Sequence, residues 1–197
     1  MYPKARLDTL SDGIFAVAMT LLVLDLRLPD DIHPADSQAL LQALLQLWPK
    51  LLPYLLSFGV LGLRWLSNVQ IRTREDYFDR GYVRWWLLYH LLITCIPFST
   101  IVLGRYASLA PSTWLYAGHT LLIALINLRL VQLTPGLERD HHLLLRQTSL
   151  VLLAASSLLA IAISLIDPPQ AMWAYLLNLA TPVVHRRLQH GPQPHKS

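Results

Sequence analysis

The sequence predicts an all-α integral membrane protein with six transmembrane helices and both termini on the cytoplasmic side. Three observations lead there. The 197 residues are 54% hydrophobic and 14% charged, with a mean hydropathy of +0.41, whereas soluble domains carry about 25% charged residues. The apolar residues gather into six runs, with charges and turn formers between them. Lys and Arg crowd onto alternate connections, the pattern that orients spans in a membrane.

The first run lies within Arg6 to Leu28. It opens on Arg6, Asp8, Ser11 and Asp12, side chains that can cap a helix and complement its dipole, and Thr20 is its one polar interruption. As a helix, Ser11 to Leu28 spans roughly 27 Å, close to the hydrocarbon thickness of a bilayer. At about 100° per residue, Arg6, Gly13, Thr20 and Arg27 fall nearly on one line, flanked by Ala16, Val17 and Leu24. That stripe mixes small, polar and apolar groups, while the opposite side is aliphatic. A lone membrane helix needs no such stripe, so it is expected to face other protein or water. Asp12 points about 80° from the Thr20 line and Ser11 about 180° from it. The two are therefore expected at the helix end as caps, or bonded to neighbouring helices, since an unpaired carboxylate in a membrane is costly.

The longest hydrophilic connection, Pro29 to Gln46, is amphipathic enough for a short interfacial helix around Ser37 to Leu45. Further apolar runs follow at Leu47 to Val69, Val83 to Gly104, Thr113 to Leu133, Leu150 to Ile166 and Met172 to Val184. The last is short, and Pro182 kinks or ends it. The Pro-rich tail from His190 to Ser197 is expected to be disordered. No composition shift divides the chain, so residues 1–197 read as one domain. The first run is full length and lacks a small-residue cleavage site, unlike a cleavable signal peptide. No internal repeat is evident, which weighs against an inverted-repeat transporter.

Orientation follows from the basic residues. Lys4 and Arg6, then Arg72, Arg74, Arg80 and Arg84, then Arg139 and Arg146, then Arg186, Arg187 and Lys196 fall on one side. Only Arg27, Lys50 and Arg105 fall on the other, beside Asp25, Asp30, Asp31, Asp36 and Asp167. Eleven against three places both termini in the cytoplasm. The net charge of +4 thus reports topology, and no nucleic-acid partner is expected.

Other polar groups have plainer readings. Cys95, the single cysteine, lies inside an apolar run and reads as a small buried hydrophobe. Arg64 and Arg129 sit near span ends and are expected to snorkel. Asn127 and His119 read as interhelical hydrogen bonders. His141, His142, His185, His190 and His195 lack metal-site spacing. No hydrolase, zinc-protease or phosphate-loop motif is present, so neither an enzyme nor a cofactor is expected.

RLDTLSDGIFAVAMTLLVL, beginning at Arg6, resembles the R-x-x-x-F-S-D signature of the transmembrane protein 175 family, the lysosomal and prokaryotic potassium channels. Trp65 and Asn68 resemble its W-x-x-N-H pattern. Ile96 to Tyr106, IPFSTIVLGRY, resembles its P-F-x-T-x-x-L-G-x-Y segment. Two departures stand out: Leu10 replaces the signature phenylalanine, keeping an apolar packing role, and Val69 stands where the family has histidine. That loss implies rewiring of the network around Ser11 and Asp12, through Arg64 or His90.

The resemblance implies a homotetramer in a prokaryotic plasma membrane, four copies of the first helix lining a pore for potassium and other monovalent cations. Aligned through Ser11 and Asp12, the apolar constriction falls on Val17, with Thr20 one turn outward and Leu21 and Leu24 beyond. The helical stripe independently selects Gly13, Val17, Thr20 and Leu24. A valine ring can dewet, and threonine hydroxyls can replace part of an ion's water shell. Arg6, Ser11 and Asp12, with Trp65 and Asn68 as candidate partners, form the implied structural network. Arg27 at the outer mouth would repel cations unless Asp25, Asp30 or Asp31 neutralised it. The alternatives are a small ion-coupled transporter using Asp12 and His90, and a non-conducting scaffold whose Val17, Thr20 and Leu24 are ordinary packing residues.

Overall fold

The computed structural model describes residues 1–28, 33–69, 73, 75–137 and 141–180. Several expectations lie outside these residues: the acids Asp30 and Asp31, the bases Arg72, Arg74, Arg139, Arg186, Arg187 and Lys196, Pro182, and the tail 190–197.

The first helix, α1 (Lys4–Leu21), starts before its apolar run, for a tertiary reason. Strand β1 (Tyr2–Pro3) pairs antiparallel with β2 (Tyr77–Phe78), Tyr2 opposite Phe78. The Lys4 N–H then donates to the Asp76 carbonyl at 2.8 Å, satisfying one of the donors a helix start leaves open. Ser11 and Asp12 are therefore mid-helix and cap nothing, contrary to one of the sequence readings. The far end also differs from expectation. The helix tightens to a 3-10 turn at Leu22–Asp25 and leaves helical geometry at Leu26 (φ −81°, ψ 59°), short of the expected Leu28. Arg27 is therefore beyond the helix and off the stripe.

Helix α2 (Ser37–Leu45) occupies the connection where the amphipathic pattern expected it, capped by Asp36 accepting from the Ala39 N–H at 2.7 Å. Helix α3 (Trp48–Val69) follows, then α4 (Arg80–Arg105), which Asp79 caps through the Tyr82 N–H. Helix α5 (Ala110–Leu133) has a proline in its first turn, where the missing N–H costs nothing. Helix α6 (His141–Ser164) begins nine residues ahead of its apolar run.

Among the described residues, four segments are long and apolar enough to cross a membrane: Lys4–Asp25, Arg80–Arg105, Ala110–Leu133 and Arg146–Ser164. Helices α2 and α3 qualify together as a pair bent by 46°, making five. The expected sixth run falls on a final 3-10 helix, Pro168–Ala180, whose 13 residues extend about 26 Å at about 2 Å per residue.

The apolar interior forms two clusters. Phe15, Ala18 and Leu22 of α1 pack with Trp86, Tyr89 and Ile93 of α4 and with Ile123 and Ile126 of α5. Leu56 and Val60 of α3, Tyr116 and Ala124 of α5, Leu150 and Leu153 of α6, and Tyr175 form the other. Hydroxyls stitch the second cluster: Thr100 donates to Ser57, Ser57 meets the Tyr116 hydroxyl, and Thr120 meets both Ser157 and the Tyr175 hydroxyl. Two sequence readings fail here. Cys95 is exposed on α4 because its position points away from both clusters. Arg64 does not snorkel; it is buried, its guanidinium bonded to Ser149. Arg129, which is exposed and bonded to Gln132, fits the snorkelling description.

Candidate functional site

Helix α1 has two faces of different character. Leu7, Ser11, Phe15, Ala18, Leu22 and Asp25 follow one another at intervals of three or four residues and are buried. Phe15 anchors this face, its ring packing on Tyr89 and edge-on against His90 of α4. The other face carries Arg6, Gly13, Val17, Thr20, Leu21 and Leu24, all exposed in the single chain. Val17 is 56% exposed and Leu24 61%. A Cβ on Gly13 would meet nothing within 4 Å, so packing inside the subunit does not require a glycine there. The outer faces of the other helices also expose apolar residues, as lipid contact demands. Gly13 and Thr20 interrupt that apolar surface, as Thr94 of α4 and Gly118 of α5 do on theirs; what sets the first span apart is that it is less buried than the spans of α4, α5 and α6.

The Thr20 hydroxyl donates to the Val17 carbonyl at 2.9 Å. Its one proton is thereby directed back onto the helix, and the oxygen lone pairs are left facing outward.

Behind the outer face, the Ser11 and Asp12 side chains diverge and take different partners. Trp65 Nε1 of α3 donates to Asp12 Oδ1 at 2.9 Å. Ser11 Oγ lies 2.8 Å from His90 Nε2, while His90 Nδ1 lies 2.8 Å from the Trp86 carbonyl. A carbonyl can only accept, so Nδ1 carries the proton; in the neutral ring Nε2 then accepts from the Ser11 hydroxyl. The Trp86 ring covers His90 at 3.8 Å between centroids, which holds that imidazole in place. Asp12 and His90, paired in the transporter alternative, thus belong to separate contacts.

The remaining expected residues fall outside these contacts. Arg6 is exposed at the start of α1 with no hydrogen bond among the described residues. Asn68, half-buried at the end of α3, faces the Tyr89 hydroxyl. Leu10 is 51% exposed, so it packs outward and not within the subunit, and Val69 is exposed as well. A histidine at position 69 would point away from Ser11.

At the opposite end of α1, the buried Asp25 carboxylate accepts from Arg105 Nε and Nη2 of α4, both at 3.3 Å. This pairing ties the 3-10 end of the first span to the end of α4, and it commits Asp25 to Arg105 as its partner. Sequence reasoning missed this pair, as it missed Phe15. Asp25 and Arg105 are each the charge at the end of an apolar run on the same side, the one signal that would have suggested it.

Comparison with known proteins meets this geometry. The family profile described as "Endosomal/lysosomal potassium channel TMEM175" matches residues 6–97, from the first turns of α1 into α4. A protein named as a potassium channel from Chamaesiphon minutus is 35% identical over 130 residues, covering 64% of this chain and 63% of that one. Another so named, from Streptomyces collinus, is 33% identical over 106 residues, 54% of this chain and 50% of that one. The chain thus matches between half and two thirds of those relatives' lengths. The crystal structure of a lysosomal potassium-selective channel TMEM175 homolog from Chamaesiphon minutus superposes with a TM-score of 0.78 at 27% identity. That match covers 92% of this chain and 97% of the other. The profile over the signature residues on α1 and α3, the similar bacterial channels and the shared architecture together support a prokaryotic member of the TMEM175 family of ion channels.

Proposed function

We propose that this chain is the subunit of a homotetrameric, potassium-permeable cation channel, with α1 lining the pore. The observation that carries this reading is the outer face of α1: Gly13, Val17, Thr20, Leu21 and Leu24 are exposed in the single chain, on a span less buried than those of α4, α5 and α6. Similarity to proteins named potassium channels, and to a structure described as potassium-selective, supports the choice of ion. The excess of basic residues on one side favours six spans, Pro168–Ala180 serving in the sixth, with both termini in the cytoplasm of a bacterial cell.

The physical logic is that of side-chain rings. Four copies of Val17 close the path by excluding water, because an ion loses hydration there without a compensating ligand. Four Thr20 oxygens partly replace the water shell, which favours potassium as the more easily dehydrated ion. Without stacked carbonyls, the preference is modest. The Asp12–Trp65 and Ser11–His90 contacts hold α1 in register behind the pore face.

The test is reconstitution into planar bilayers with mixed potassium and sodium. Val17→Asn is expected to wet the ring and raise single-channel current. Thr20→Val is expected to lower the potassium-to-sodium permeability ratio while the tetramer persists. Unchanged current and selectivity in an assembled Val17→Asn tetramer defeats the pore assignment. Saturable, ion-coupled flux, lost with either change, would favour the transporter instead.

A further inference from the structure

Helices α3, α4, α5 and α6 meet around two buried guanidinium groups. Arg64 is 2% exposed and Arg146 7%. Arg64 Nη2 donates to Ser149 Oγ at 2.7 Å, and Arg146 Nη2 donates to Asn127 Oδ1. Both acceptors are neutral. Arg64 Nη1, Arg146 Nε, Arg146 Nη1 and the Tyr89 hydroxyl are buried without a hydrogen-bond partner. Ser149, the acceptor for Arg64, donates in turn to the Arg146 carbonyl one turn earlier on α6, so both cations meet at one junction, with Tyr89 of α4 beside them. Among the described residues, no carboxylate pairs with either.

Two like charges held together out of water, with open donors, form an unfavourable arrangement by themselves. All the open groups can donate; Ser149 Oγ and Asn127 Oδ1 already accept from the two guanidinium groups, and Asn68 faces Tyr89. A water there would satisfy open donors but leave both charges unneutralised, whereas an anion answers the charge and the donors together. Enclosure by four helices leaves no route for a lipid headgroup with its chains attached. We infer that Arg64, Arg146 and Tyr89 hold a small inorganic anion of chloride size at this junction. The site lies behind α3, away from the outer face of α1, so the inference is independent of the channel reading. It gives a cation-channel subunit a fixed anion that holds α3 against α6.

The test uses the whole chain in detergent, with unfolding followed by tryptophan fluorescence. Potassium chloride is exchanged for potassium gluconate at constant ionic strength. A saturable rise in Tm of about 5 °C with chloride is expected, as for a ligand that binds only the folded state. Arg146→Gln should abolish that rise. Should that variant fail to fold, Tyr89→Phe keeps both charges and removes one donor, and should shift the chloride midpoint several-fold upward. Crystals soaked in bromide should show anomalous density between the Arg64 and Arg146 guanidinium groups. Equal Tm in the two salts overturns the inference. So does a chloride response undiminished in Arg146→Gln or Tyr89→Phe, or bromide density absent from the junction. None of these outcomes bears on potassium flux.

Discussion

The first span and α5 are both long and apolar, and the first has the higher mean hydropathy. Yet 28% of its most apolar window is buried within the chain, against 50% for α5. Helix α5 lies between α4 and α6, with Ala117 and Ala124 fully buried where neighbours approach closely. Its Thr120 hydroxyl reaches Ser157 and Tyr175 on two other elements. Thr120 bonds to its own backbone too, as does Thr20 of α1, but Thr20 is exposed and among the described residues bonds to no other element. Hydropathy therefore identifies both as membrane helices but does not separate a scaffold helix from one that packs by a single face. Burial, and whether a hydroxyl also reaches another element, do separate them.

Substitutions can break this contrast or sharpen it. The largest expected effect is at the contact that holds α1 to the scaffold. Phe15→Ala removes a fully buried ring and should cost about 3 kcal/mol. Equilibrium unfolding in mixed micelles measures it, and a loss below about 1 kcal/mol would mean that α1 is attached by some other contact. Next is overpacking of α5. Ala124→Leu forces extra carbons into a fully buried position and should cost about 2 kcal/mol in the same assay. If it is tolerated, the close packing of α5 is not what defines the scaffold. Trp65→Phe keeps an aromatic ring and removes the donor to Asp12, a bond open to solvent, so about 1 kcal/mol is expected. Its readout is the fraction of assembled oligomer on size exclusion as well as the unfolding midpoint. Smallest for stability are Val17→Asn and Thr20→Val. Both side chains are exposed, and each change should stay within about 0.5 kcal/mol in subunit stability. A large loss of subunit stability from either would show that the outer face of α1 supports the fold, and would erase the contrast with α5.

Much of the fold was legible in the sequence, and the reason is local. The span of α2 followed from an amphipathic nine-residue pattern between Asp36 and Gln46. Helices α3 and α5 end where their apolar runs end. The stripe through Gly13, Val17, Thr20 and Leu24 was visible because four positions on one face mixed residue types that the rest of α1 does not mix. What escaped was of another kind. Cys95 looked buried because the run around it is apolar, but a span that borders lipid hides only one side. Arg64 looked like a snorkelling side chain because nothing in its neighbourhood on α3 signals an acceptor on α6.

The sequence by itself determined the membrane class and the approximate extent of the spans carried by α1, α3, α4, α5 and α6. In lipid the backbone must satisfy its own hydrogen bonds within a segment, so the length and apolarity of a run are enough to specify a helix. Only the tertiary structure decided where α1 begins, since its first N–H is taken by Asp76 across a strand pair. It alone decided the partners of Asp12, Ser11, Asp25 and Arg64, which lie 53, 79, 80 and 85 residues away along the chain. A buried or membrane-facing polar side chain must find a partner somewhere, but periodicity within one helix specifies only the face it leaves from, and the neighbour that answers it is set by how the helices pack.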